Sequence, residues 1–249
     1  MDSTERFSNR ADNYRRYRPS YPAAVIDLIR DTAKLEPGAD VADIGSGILT
    51  RLLLEAGWKV HAIEPNAPMR EAAESDLAGF PRLRSLAAKA EKTGLPDVSM
   101  TAITCAQAFH WFDREAAQVE FRRILQPGGW VFLIWNEREA GADSAFNHDY
   151  HALLNSLGDE YVKIHSKRTH QNPEAFFNPG TYKKKTFYNP QDMTWEILRG
   201  RFLSSSYVPP EGDPRQPPLL IELERIFHRH EKDGKVVFRQ DAYVYFGQL

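Results

Sequence analysis

From residue 41 to residue 135 the chain repeats one pattern: a short apolar run, a stretch with helical spacing, then another short apolar run. Residues 41–44, 58–63, 82–87, 100–105 and 130–135 read as buried strands. Residues 48–56, 66–77 and 113–125 read as helices, the last two capped by Asn66 and Asp113. Gly57 and Pro127-Gly128-Gly129 supply turns between them. Strands and helices alternating over such short turns bury their apolar faces only as a mostly parallel sheet covered by helices on both sides. The fold class is therefore α/β, with a doubly wound sheet.

Outside that block the pattern is looser. A helix is expected near Tyr21, with Ser20 as its cap, Pro22 in its first turn and Val25, Ile26, Leu28 and Ile29 as its apolar face. Residues 144–157, 195–203 and 219–230 also have helical spacing, and residues 169–190 read as loop. Residues 236–246 form a last β-rich segment placed to complete the same sheet. One domain is expected, with an N-terminal arm (1–21), a core (22–136), an inserted cap (137–215) and a closing helix and strand (216–249).

Composition removes several function classes. Lysine and arginine number 32 against 34 acids, so no broad basic surface advertises nucleic acid. A single cysteine forms no internal disulfide and fits a reducing compartment. No apolar run is long enough to span a bilayer, and the first residues lack the apolar core of a signal peptide. The expected location is the cytoplasm, with no membrane and no nucleic-acid partner. Oligomeric state is not legible.

The chemistry concentrates at the carboxyl ends of the first two strands. Asp43-Ile44-Gly45-Ser46-Gly47 ends the first, and Glu64 ends the second, 21 positions after Asp43. Glycine permits a tight turn and close approach of the backbone to a ligand. The following helix start offers N–H groups, and an acid on the neighbouring strand can accept from two ribose hydroxyls. Together they describe a nucleoside site.

With these motifs the chain resembles the class I S-adenosylmethionine-dependent methyltransferases, in particular the small-molecule branch of trans-aconitate methyltransferase-like enzymes. The resemblance rests on residues 41–47, Ile63-Glu64-Pro65-Asn66 with Met69, Thr93-Gly94-Leu95-Pro96-Asp97 and Gln107-Ala108-Phe109-His110-Trp111-Phe112. Leu125-Gln126-Pro127-Gly128-Gly129, the arm Tyr17-Arg18-Pro19-Ser20-Tyr21-Pro22 and the segment from Gly200 to Tyr207 extend it. It implies a seven-stranded Rossmann-like sheet whose last strand is antiparallel, S-adenosyl-L-methionine as cofactor and a small-molecule methyl acceptor.

The resemblance also implies roles. Cofactor contacts fall to Tyr14, Arg18, Asp43, Gly45, Ser46, Gly47, Glu64, Pro65, Asn66, Met69, Ala90, Glu91, Ala106 and Gln107. Within that set Glu64 would hold the ribose, Met69 would pack on adenine, and Arg18 would fork onto the methionine carboxylate. Tyr17, Trp111, Arg201, Ser206 and Tyr207 would line the acceptor site, where a cation and hydroxyls favour a carboxylate-bearing molecule. His110 is the candidate general base. No metal is expected: His148 and His151 with Asp149 read as an exposed helix face.

One departure matters. Relatives read Gly-x-Gly-x-Gly before the helix, whereas here Gly47 runs directly into Ile48-Leu49-Thr50. The loop is two residues short. Keeping Leu49, Leu52 and Leu53 in the core then requires the first turn near Ile48 to unwind or tighten. Fewer N–H groups would face the cofactor, Ile48 or Leu49 would intrude, and binding would weaken. Two other classes stay open: a non-catalytic binding protein on the same fold, and an NAD-dependent oxidoreductase, for which Thr50 stands where a third glycine is wanted.

Overall fold

The computed structural model describes residues 17–45, 47–138, 144–158, 161 and 173–249. Tyr14 and Ser46, both expected at the cofactor, lie outside them. Helix α1 (Ala23–Ala33) precedes β1 (Asp40–Ile44), α2 (Ile48–Glu55), β2 (Lys59–Ile63), α3 (Ala67–Asp76), β3 (Leu83–Leu86) and β4 (Met100–Ala106). A 3₁₀ turn (Phe109–Trp111), α4 (Arg114–Ile124) and β5 (Leu125–Arg138) follow. Then come α5 (Ala145–Asn155), α6 (Pro173–Phe177), β6 (Tyr182–Tyr188), β7 (Gln191–Met193), α7 (Trp195–Leu203), α8 (Gln216–His230), β8 (Val236–Phe238) and β9 (Gln240–Gly247).

Seven strands form one sheet in the order β3-β2-β1-β4-β5-β9-β6. The first five run parallel, and β9 runs antiparallel to both β5 and β6. The doubly wound, mostly parallel sheet expected from the sequence is therefore present. Side chains alternate across it. In β5, Val131, Leu133 and Trp135 join α4 and α6 in one core, while Phe132 and Ile134 join α1 and α2 in the other. A third cluster, built from α5, α7, α8, β7 and β8, packs Phe146, Tyr150, Phe202, Leu223 and Phe238 together. Cys105 is buried in the first core, as expected of an apolar strand residue.

Three expectations are corrected. The helix after the arm starts at Ala23, with Pro22 as its N-cap and no side-chain cap. Proline disfavours helical geometry in the residue before it, so Tyr21 cannot be helical and Ser20 has nothing to cap. The Ser20 carbonyl instead accepts from Asn136 and Asn189 Nδ2 at 3.3 and 2.8 Å. Second, residues 137–215 are not wholly an insertion, because β6 lies within them and is the edge strand of the main sheet. Lys183, Lys184 and Lys185 hide it: they put charge on both faces, which only an edge strand tolerates. Third, residues 236–246 divide at Arg239, where β8 pairs with β7 in a separate two-stranded ribbon and β9 enters the main sheet.

The shortened loop also resolves differently from expectation. The first turn of α2 is regular from Ile48, and the adjustment falls on Gly47, its N-cap, at φ 154° and ψ −123°. Glycine alone adopts that geometry without strain. Leu49 and Leu53 are buried and Leu54 joins them, while Leu52 is only half-buried. Burial of each such side chain is worth about 1.5–3 kcal/mol, so the apolar face decides the register.

Candidate functional site

Strands β1, β2 and β4 end side by side, and their carboxyl ends carry the polar groups. Asp43 is fully buried and accepts from Thr50 Oγ1 at 2.6 Å and Thr104 Oγ1 at 2.7 Å. Burial raises its pKa to about 6 despite those two hydrogen bonds. Thr50 Oγ1 in turn accepts the Gly47 N–H at 2.9 Å. Asp43 thus anchors the glycine turn through Thr50. Gly45 takes φ 88°, and a Cβ there would stand 2.6 Å from Ala108 Cβ, so glycine is required twice over. Its N–H donates to the Ile63 carbonyl. The N–H groups of Gly45 and Gly47 are therefore both committed within the protein.

At the tip of β2, Glu64 Oε1 accepts the Asn66 N–H at 2.9 Å, and Asn66 Oδ1 accepts the Met69 N–H at 2.9 Å as the N-cap of α3. Burial raises the Glu64 pKa to about 7; the Asn66 N–H and the charge of Arg70 oppose this, and the charge of Asp43 adds to it. Pro65 and Met69 flank this chain of hydrogen bonds. Across the tips, Ala90 is buried, and Glu91 Oε1 accepts the Asp113 N–H at 2.8 Å, fastening the start of α4.

Beyond β1 and β4 lies an open cavity. Gly45, Ile48, Leu49, Ala106 and Gln107 form its floor. Arg18, Pro19 and Tyr21 of the arm, and Arg201, Ser205 and Tyr207 of the α7 region, form its walls, with Asn136, Tyr150 and Phe238 between. Both aliphatic residues of the shortened loop thus face it. Gln107 holds a left-handed φ of 58° and donates from Nε2 to the Asn136 carbonyl at 3.2 Å. Such a backbone costs about 1–3 kcal/mol and persists where the surroundings fix it.

Arg201 is buried, with its guanidinium 4.2 Å from the Phe238 ring centroid and Nη2 donating to Gln240 Oε1 at 2.6 Å. Arg18 donates from Nε to Ser204 Oγ at 3.0 Å and from Nη2 to the Ser204 carbonyl at 3.3 Å. The lining residues carry two cations and no carboxylate among those described.

The cavity brings together Arg18, Gly45, Ala106, Gln107, Arg201 and Tyr207 of the expected site residues. It does not include Tyr17, Trp111 or His110. His110 sits in the 3₁₀ turn, its ring centroid 4.6 Å from that of Trp111. Ser205, not Ser206, lines it; in the turn after α7 its Oγ donates to the Arg201 carbonyl. Sequence reasoning missed Asn136, Tyr150 and Phe238. A strand end beside β4 was a usable signal for Asn136, but none pointed to the other two. Among the described residues no cluster of metal-ligating groups exists, and no helix is long and apolar enough to cross a membrane.

The seven-stranded, mostly parallel sheet with helices on both faces matches the Rossmann-like fold of methyltransferases. Residues 42–133 match the family model of a methyltransferase domain. An uncharacterized methyltransferase of Mycobacterium bovis is 36% identical over 55% of this chain and 55% of its own length. One from Geobacillus kaustophilus is 30% identical over 54% of this chain and 67% of its own. The chain belongs to this methyltransferase-domain family, and its match spans about half the length of the Mycobacterium relative. A structure assigned as a type II methyltransferase from Anaeromyxobacter dehalogenans superposes with TM-score 0.68 at 23% identity, covering 93% of this chain and 97% of that one. Phosphoethanolamine N-methyltransferase 2 of Haemonchus contortus, solved with S-adenosyl-L-methionine, superposes at 0.57 and 14% identity over 99% of this chain and 58% of that one. The trans-aconitate branch is not singled out by any of these likenesses.

Proposed function

We propose that the chain is an S-adenosyl-L-methionine-dependent methyltransferase acting on a small, anionic acceptor, with a carboxylate as the favoured acceptor chemistry. The observation that carries this reading is the cavity at the carboxyl ends of β1 and β4, which two arginines line without a carboxylate among the described residues. The residues present fit the cofactor. Glu64 ends β2 where an acid accepts from ribose hydroxyls, and Gly45 leaves no room for any side chain beside Ala108.

When bound, the cofactor supplies an electrophilic methyl group. The protein's part is alignment and exclusion of water. Glu64 holds the ribose, Met69 packs on the adenine, and Arg18 presents its guanidinium to the carboxylate of the methionine portion. Arg201, with Tyr207 beside it, orients the acceptor. A carboxylate acceptor is already a nucleophile and needs no general base, which suits a cavity whose described lining lacks His110.

Isothermal calorimetry with S-adenosylhomocysteine and, separately, NAD tests the reading. Measurable binding of the first and none of the second is expected; the reverse overturns it. A salt-sensitive complex with RNA or DNA would overturn the small-acceptor part.

A further inference from the structure

Gly200 lies inside α7 at an ordinary helical φ, where alanine is the better helix former and nothing in the backbone asks for glycine. The reason for it is across the helix surface. A Cβ at Gly200 would overlap the ring of Tyr17, with ring carbons Cγ, Cδ2 and Cε2 its nearest neighbours. One turn earlier, Glu196 Oε1 accepts from Tyr17 Oη at 3.2 Å; one turn later, Ser204 accepts from Arg18 through both its hydroxyl and its carbonyl. Residues 196, 200 and 204 are spaced four apart and share one face of the helix. Two successive arm residues therefore run along a single stripe of α7, and the ring seats at its only position without a side chain.

We infer that Gly200 is a positioning residue: its missing side chain is the socket for Tyr17, and that docking fixes Arg18 at the wall of the cavity. Gly200 touches no ligand in this scheme and acts through Tyr17 and Arg18. The consequence for cofactor affinity rests on the function proposed above, whereas the docking itself does not.

The test is Gly200→Ala, which leaves helix propensity improved. Hydrogen–deuterium exchange of the peptide covering residues 17–28 should be faster than in the parent protein, while the α7 peptide stays protected. Calorimetry should show S-adenosylhomocysteine binding about tenfold weaker. Tyr17→Ala should weaken binding to a similar degree, and the double variant Gly200→Ala with Tyr17→Ala should lose little more than either alone, because both remove the same docking; fully additive losses would give Gly200 a role apart from Tyr17 and overturn the socket. Unchanged exchange in the arm overturns the socket. Faster exchange with unchanged affinity overturns the coupling to Arg18. Should the parent protein bind no S-adenosylhomocysteine, the proposed function fails, and the exchange measurement still decides the docking.

Discussion

Asp43 and Glu64, at the ends of β1 and β2, both have raised pKa values because burial penalises their charged forms. A raised folded pKa means the folded state holds the proton more tightly than the unfolded chain. Each group therefore favours folding below its unfolded value and loses that contribution as pH rises, toward about 6 for Asp43 and about 7 for Glu64. Ligand binding should run the other way, since ionised Glu64 accepts from two hydroxyls more strongly than the protonated acid does. The affinity for S-adenosylhomocysteine should therefore fall as the pH drops through about 7, where Glu64 takes up its proton. Glu64→Gln should weaken binding and flatten the profile; a profile identical to the parent's would remove Glu64 from the ribose site. Thr50 is the second residue with a clear expectation. Thr50→Val takes a donor from buried Asp43 and an acceptor from Gly47, so stability should drop by about 1–3 kcal/mol in urea unfolding. Thr50→Ser keeps the hydroxyl and should stay near the parent; equal loss in both variants would place the effect in packing.

At the scale of single elements, sequence legibility follows the range of the forces involved. The glycine turn, the acid ending β2 and the caps Asn66 and Asp113 were all readable, because their chemistry is settled within three or four residues. β6 was not readable as a strand, since its lysines answer to its place at the sheet edge and not to a local preference. Tyr150 and Phe238 reach the cavity only through the packing of the α5–α8 layer, which leaves no periodic trace in either segment. The short loop before α2 belongs to this scale too. Reinserting Thr-Gly between Gly47 and Ile48 would draw Ile48 and Leu49 back from the cavity floor and add backbone donors. Calorimetry should then show tighter S-adenosylhomocysteine binding; an affinity no better than the parent's would mean the present loop costs nothing.

Across the whole molecule, one edge of the main sheet is β6, where Lys184 lies over the rings of Tyr243 and Tyr245, at 4.2 and 5.3 Å from their centroids. Lysines on an open edge oppose strand-to-strand association. Replacing Lys183 and Lys185 together by valine should raise self-association in sedimentation velocity at unchanged stability; no change would show that something other than charge guards the edge.

The position of β9 has a further consequence, for the order in which the molecule can be assembled. The last strand in sequence is not the last in space: it is threaded between β5 and β6, and β6 has no other neighbour in the sheet. During synthesis, β1 to β5 can pair as they emerge, but β6 must wait for residues 240–247 before it has anything to bond to. Until then the β5 edge, with Phe132 and Ile134 among its residues, stands open to other chains. Cutting the chain after Arg239 would thus remove two strands and not one, and a nascent chain stalled before residue 240 leaves β5 open to aggregation.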